Sequence, residues 1–385
     1  MKKIFILALF SGWLHSYSQI NQQFFFVRTQ APLPFLEYGI GEDRLGGAKM
    51  TFLDSNILLK VVDSFTTKYK VQLSKYHNAF IDKKNVTRLL SFKPKDHLTG
   101  SWKVFGDSAY DYVNISLDEK LPYRSVQEID PSRIAIDIFG AESNSNWITQ
   151  LSTVKEIKNA YYLQTEDDVM HVIIELRHQQ HWGHIIFYEG NRLVIKVKRQ
   201  PRIPELKYLT IAVDAGHGGE NKGAEGVTSK ILEKNYTLLI AKELQAALLK
   251  KKVAVIMTRE KDTTLSMLER IEFLNSKNPD LLISIHLNSS DVDSVQGVST
   301  YYRYIGFRPL SVAILHRILD LNLKEYGNVG AFNFSLSGPT DYPNCLVEVA
   351  FLSNKKDEKK ILDPAFHKAV AKKIIEGIEE FLKSL

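Results

Sequence analysis

Four polar residues stand where a folded chain could use them for chemistry. His217 follows the apolar run Leu209-Thr210-Ile211-Ala212-Val213, within Asp214-Ala215-Gly216-His217-Gly218-Gly219. His286 closes a second run in Ser284-Ile285-His286-Leu287-Asn288, and Glu348 interrupts a third, Leu346-Val347-Glu348-Val349. If these runs are strands of an open α/β sheet, the three side chains belong to its carboxyl ends, where groups from different loops converge. Each has a plainer reading. His217 could be a loop histidine among turn glycines, although glycines on both sides also let backbone approach a ligand closely. His286 could be a hydrogen-bonded histidine at a strand end. Glu348 is harder to explain this way, because a carboxylate inside an apolar strand is costly unless a charge or metal compensates it. Glu233, at the start of a helix, is equally what a helix dipole favours. Together, two neutral imidazoles and one carboxylate make a His-His-Glu set that suits a catalytic zinc with one position open for water. The short helical motif of two histidines separated by Glu-x-x is absent, so such a site must be assembled from distant segments.

The elements that must position these groups follow from hydrophobic periodicity. After the strand at 209–213 and a Gly-rich turn, Tyr236, Leu239, Ile240, Leu244, Ala247 and Leu248 recur at helical spacing. Val253 to Met257 reads as a strand, residues 264–276 as a helix, and Leu281 to Ile285 as a strand. Further on come a strand at Gly297 to Tyr302, a helix near 308–326, a strand at Cys345 to Val349 and a terminal helix ending near Leu382. Alternating strands and helices imply an α/β domain with a central, mostly parallel sheet flanked by helices. Between Ile20 and Arg199 the texture is different: Lys68 to Leu73 and Arg133 to Ile138 alternate polar with apolar, so this half is expected to be β-rich. Gly46-Gly47 and Gly190-Asn191 look like turns, and Lys93-Pro94-Lys95-Asp96 interrupts the strand pattern. Pro201 and Pro204 make a short stiff connector into the α/β region.

Taken in order, Asp214 to Gly219, Leu232-Glu233-Lys234-Asn235, Thr258-Arg259, Ser284 to Asn288 and Leu346-Val347-Glu348-Val349-Ala350-Phe351-Leu352-Ser353-Asn354 resemble the zinc-dependent N-acetylmuramoyl-L-alanine amidases of the type 3 family. The resemblance covers roughly the C-terminal half. It implies that His217, Glu233 and His286 bind Zn2+, that Glu348 is the catalytic carboxylate, and that the reaction is hydrolysis of the amide between N-acetylmuramic acid and L-alanine in peptidoglycan, in wall remodelling or daughter-cell separation. Two other outcomes fit the same residues: a catalytically silent peptidoglycan-binding adaptor, or a zinc peptidase cutting within the stem peptide. The chain departs from many family members in having Leu336-Ser337-Gly338 where they carry Val-Leu-Arg, so an arginine contact to substrate is not carried over. Only Asn288 to Gln296 separates the His286 motif from the following strand, too few residues for the inhibitory helix some members hold there, so the active site is expected to be open without an activator.

Residues near 100–198 are similar to an amidase N-terminal (AMIN) wall-binding module, through Pro122-Tyr123 and Arg133 to Gly140. Residues near 35–90 resemble a small bacterial Src-homology-type barrel, through Gly47 to Met50, residues 68–73 and Ala79-Phe80-Ile81. The expected division is therefore a signal peptide at 1–18, a barrel-like module at 19–92, an AMIN-like module at 93–199, a linker at 200–207 and the amidase domain at 208–385. His178, His181 and His184 lack an evident carboxylate partner and read as solvated surface residues.

The whole chain narrows the setting. Lys2-Lys3, the apolar run Ile4 to Phe10 and Ser16-Tyr17-Ser18 form a cleavable export signal too short to span a bilayer. Export to the periplasm is expected, with no stable membrane insertion and no nucleic-acid partner. The formal charge of +6 and pI near 9.0 would assist contact with an anionic polymer such as the wall, though Lys and Arg are scattered among acidic neighbours. The N-terminal modules could also meet other wall or division proteins. Cys345 is the sole cysteine, which excludes an intramolecular disulfide and leaves stability to packing.

Overall fold

A computed structural model describes residues 24–30, 32–41 and 48–385. The expected export signal and the Gly46-Gly47 turn lie outside the described residues. The N-terminal half is strand-rich. Seven strands, from Phe25–Thr29 to Val86–Arg88, form one antiparallel sheet, and residues 97–198 form a four-stranded and a six-stranded sheet. Alternation drives this arrangement: in Ser132–Phe139, paired with Tyr123–Ile129 and Val169–Leu176, Ile134, Ile136 and Ile138 are fully buried. One contiguous apolar cluster joins all three sheets, from Val27 and Val61 through Trp102 and Ile136 to Val197.

The C-terminal domain alternates strand and helix. Its elements are β1 (Thr210–Ala215), α1 (Glu233–Lys250), β2 (Ala254–Met257), α2 (Met267–Lys277), β3 (Leu281–Asn288), β4 (Val298–Tyr301), α3 (Arg308–Leu319), β5 (Glu325–Val329), β6 (Asn344–Phe351), α4 (Lys355–Ile361) and α5 (Pro364–Lys383). The sheet order is β2-β1-β3-β6-β4-β5, parallel throughout except where β4 meets β6. This is the expected mostly parallel sheet, and its central strands β1 and β3 are near-continuous apolar runs because both faces are covered. Helices α1, α3 and α5 pack Ile240, Leu244, Ile314, Ile318, Ile374 and Ile378 into one core with β1, β3 and β6.

Three local readings need correction. Leu239 faces solvent, and Thr237 and Ala241 take the core-facing places on α1. The second helix begins only after Ser266, whose hydroxyl accepts from Glu269 N while the Glu269 carboxylate accepts from Ser266 N, a capping box that fixes the start. The third helix ends at Leu319 rather than near 326, and residues 325–329 form a strand instead. Asn322 adopts the left-handed conformation at φ 53°, which an asparagine tolerates and a helix interior does not. Among the described residues, no helix is long and apolar enough to cross a membrane.

The two halves are in contact. Lys198 Nζ reaches Pro279 O at 2.8 Å and Asp280 at 2.9 Å, and Trp182 stacks on Phe381 within the C-terminal core. His184 and Thr340 exchange two hydrogen bonds, of 2.8 and 2.6 Å. His181 and His184 are buried, contrary to their reading as solvated. His181 bonds Glu128 O at 2.8 Å and His184 bonds Ser125 Oγ at 3.0 Å, so both are structural polar groups of the sheet interface; His178 keeps solvent contact and pairs with Glu156.

Candidate metal centre

His217 lies just past the carboxyl end of β1 with φ 61°, a left-handed backbone that a non-glycine residue holds only when its surroundings impose it. Two buried arginines do so. Arg270, on α2, donates to Asp214 Oδ1 at 2.5 Å, Ala215 O at 3.0 Å and His217 O at 2.5 Å. Arg259 donates to Ala215 O and Gly216 O, both at 2.9 Å, and to Lys234 O at 2.6 Å. Asp214 also accepts from Thr258 and Ser284 hydroxyls at 2.7 and 2.6 Å. Burial raises its carboxyl pKa, but Arg270 and the neighbouring donors outweigh burial and hold it below the usual range. The loop that carries His217 is thus fixed by charge-assisted bonds to its carbonyls.

Glu233 is the first residue of α1, where its negative charge is favoured by the helix N-terminus. Its carboxylate is buried and accepts from Ala224 N at 2.8 Å and Leu287 N at 3.0 Å. The same two oxygens face the two imidazoles: His217 Nε2 stands 3.0 Å from Oε2, and His286 Nδ1 stands 3.1 Å from Oε1. Asn221 Oδ1 sits 2.9 Å from His217 Nδ1 and sets the ring's orientation. Burial pushes the Glu233 carboxyl up, yet the two imidazoles pull it well below the ordinary carboxylate range. Burial lowers the His217 pKa, and the Glu233 contact overturns that, leaving it above the usual value.

His217, Glu233 and His286, far apart in sequence, therefore bring ligand atoms within 4.8 Å of one another. Close approach requires small residues. A Cβ on Gly216 would lie 2.4 Å from the His286 ring, and one on Gly223 would lie 2.4 Å from Glu233 Oε2. The glycine before His217 thus makes room for a neighbouring ligand ring. His286 Nε2 is buried without a hydrogen-bond partner, an expense a folded protein rarely tolerates unless something else fills the position. Two imidazoles, a carboxylate and an orphaned buried nitrogen fit a single metal ion.

Glu348 lies on β6 directly beside His286 of β3 in the parallel register, so both side chains leave the same face of the sheet. Tyr301, on β4, feels its charge: burial raises the Tyr301 pKa, a Ser299 bond lowers it, and Glu348 adds to the rise. All four residues singled out in the sequence are therefore gathered at one end of the sheet. Arg270, Asn221 and Phe334 were not singled out. Phe334 sets its ring edge-on to His286, with centroids 5.5 Å apart. Asp214, a charge in an otherwise apolar strand, is the signal that a buried cation such as Arg270 had to exist.

An open α/β sheet whose strand ends gather a donor set for one metal ion, with a further carboxylate alongside, defines a class of metal-dependent hydrolase-like domains. Residues 211–380 match the profile of the N-acetylmuramoyl-L-alanine amidase family, type 3. The probable cell wall amidase LytH of Staphylococcus epidermidis is 36% identical over 180 residues, covering 46% of this chain and 60% of that protein. The LytH of Staphylococcus saprophyticus is 33% identical over 190 residues, covering 49% and 64%. This chain thus spans less than two thirds of those relatives' length. The crystal structure of an N-acetylmuramoyl-L-alanine amidase from Clostridium difficile 630 is 32% identical, covering 46% of this chain and 97% of that one, with a TM-score of 0.44. Residues 211–380 thus form a domain that matches the N-acetylmuramoyl-L-alanine amidase family.

Proposed function

We propose that the C-terminal domain is a zinc-dependent amidase that hydrolyses the bond between N-acetylmuramic acid and L-alanine in peptidoglycan. The observation that carries this reading is the convergence of His217, Glu233 and His286 beside Glu348 in a domain of this family. His217, Glu233 and His286 would hold the metal. When bound, zinc supplies a Lewis acid for the scissile carbonyl and lowers the pKa of water toward about 7. Glu233 stays ionised throughout, fixed by two backbone amides. Glu348 accepts a proton from the attacking water at a carboxylate oxygen and delivers it to the departing α-amine of L-alanine, which needs one carboxylate within reach of both atoms. The segment from Asn288 to Gly297 contains no helix, which supports a cleft open to a polymeric substrate without an activator.

On the same reading, residues 1–18 direct export, the enzyme works in the periplasm against the wall, and the modules at 19–92 and 93–199 hold it there. The test is mass analysis of purified peptidoglycan digested by the full chain. Free stem peptides beginning with L-alanine, with peptide-free glycan, support the amidase. Fragments cut within the stem peptide would replace it with a peptidase, and intact wall with bound protein would replace it with an adaptor.

A further inference from the structure

The loop between β5 and β6 carries Phe334 to His286, and the C-terminal domain does not hold that loop alone. From Gly330 to Pro343 it contains no strand and a single short turn of 3-10 helix at Ser335–Ser337, and Ala331 is left-handed at φ 54°. Such a loop has little internal bonding to fix its shape. The strand Lys49–Phe52 of the N-terminal sheet lies against it. Lys49 N donates to Asn333 Oδ1 at 3.1 Å. The Arg303 guanidinium, from the segment after β4, donates to Lys49 O and, at 3.4 Å, to Met50 O, and stands 3.5 Å from Asn333 Oδ1. One cation thereby ties the N-terminal strand to the loop. The Phe52 ring fills the space beside Gly338, where a Cβ would lie 2.6 Å from it. Phe52, Leu33 and Phe334 pack over the same buried cluster around Leu336 and Tyr342. An unbroken line of contacts thus runs from the N-terminal sheet to a ring of the candidate metal centre.

We infer that the Lys49–Phe52 strand is a positioning element of the metal centre: it clamps the 330–338 loop so that Phe334 holds the His286 imidazole in its ligating orientation. The inference rests on the reading of the site as a zinc centre. It makes the N-terminal sheet part of the hydrolytic apparatus in addition to any wall-binding role, and it makes Phe52 and Arg303 positioning residues that touch no substrate.

The experiment uses the full zinc-loaded chain with Phe52→Ala, Arg303→Met, Phe334→Leu and the conservative Phe52→Leu. Tyr110→Phe serves as control, since it removes the interdomain hydrogen bond from Asn278 Nδ2 at the opposite end of β3. Zinc release to a chromogenic chelator and kcat and KM on purified peptidoglycan are measured for each. Groups that orient a metal ligand from behind typically contribute 10- to 100-fold in metal affinity or activity, so about tenfold faster zinc release is expected for the first three variants. Their kcat should fall with KM little changed, Phe52→Leu should restore most of the loss, and Tyr110→Phe should match the parent. Parent-like zinc release and kcat in all of Phe52→Ala, Arg303→Met and Phe334→Leu would overturn the inference. If Phe52→Ala does not fold, Arg303→Met, which cuts the tie between the strand and the loop and leaves the apolar packing in place, decides instead. A parent chain that holds no zinc or cleaves no amide would instead overturn the zinc amidase reading itself.

Discussion

Arg270→Met separates a buried clamp from ordinary core packing. Arg270 and Asp214 are each about 1% exposed, so their 2.5 Å pair is cut off from solvent. Removing the cation leaves Asp214 with only the Thr258 and Ser284 hydroxyls and strips donors from Ala215 O and His217 O. Breaking a buried pair from one side typically costs about 3–5 kcal/mol, because an uncompensated charge remains. Removing both partners, as in Asp214→Leu with Arg270→Met, leaves no such charge, so the double variant should lose less than the sum of the single losses. The assay is guanidinium unfolding followed by near-ultraviolet circular dichroism, with zinc retention measured in parallel. The single variant should also shed zinc faster, because His217 loses the bond that supports its left-handed backbone. Stability within about 1 kcal/mol of the parent, or strictly additive losses, would refute the reasoning.

Glu348→Gln keeps the shape but cannot take a proton; zinc content should stay equimolar while kcat falls by roughly 10²- to 10⁴-fold, and an unchanged kcat removes Glu348 from proton transfer. Gly216→Ala places a methyl group 2.4 Å from the His286 ring, so zinc affinity by chelator competition should fall by about 10- to 100-fold, and parent-like affinity would mean the ring has room to move. Burial pushes the Asp341 carboxyl up to about 6, against which Lys198 and Lys196 act only partly. A folded pKa above the unfolded one favours the folded state fully below about 4, and that advantage is lost as pH rises through about 6. Asp341→Asn should flatten the stability profile between about pH 4 and 6 and stabilise the chain at neutral pH by at most about 3 kcal/mol, nearer 1 because Asp341 keeps some solvent contact; an unaltered profile would assign the slope to other groups.

Fold class was legible because burial on both faces writes continuous apolar runs into β1 and β3, and period-3.6 spacing into the helices between them. Boundaries were less legible. Asn322 stops α3 through backbone conformation rather than hydrophobicity, and β5, with no buried residue, carries little apolar signal. The gathering of His217, Glu233, His286 and Glu348 could be read ahead because His217 and Glu233 flank a strand end and a helix start, while His286 and Glu348 are polar breaks in the apolar runs of two strands that the parallel sheet sets side by side. The support around them could not. Arg270 looks like any charged residue on a helix until Asp214 is seen behind it, and His181 and His184 look exposed until the second half of the chain covers them. Phe334 is one aromatic among many in a loop whose shape depends on a strand nearly three hundred residues earlier, at Lys49.

The central claim, that three side chains distant in sequence hold one catalytic ion, is tested most directly by metal analysis of the purified full chain and its Glu233→Ala variant. One zinc per parent chain, with loss of both metal and peptidoglycan cleavage in the variant, is the predicted result. A rigorously metal-free parent that digests peptidoglycan at full rate, or a variant that retains equimolar zinc, would contradict it.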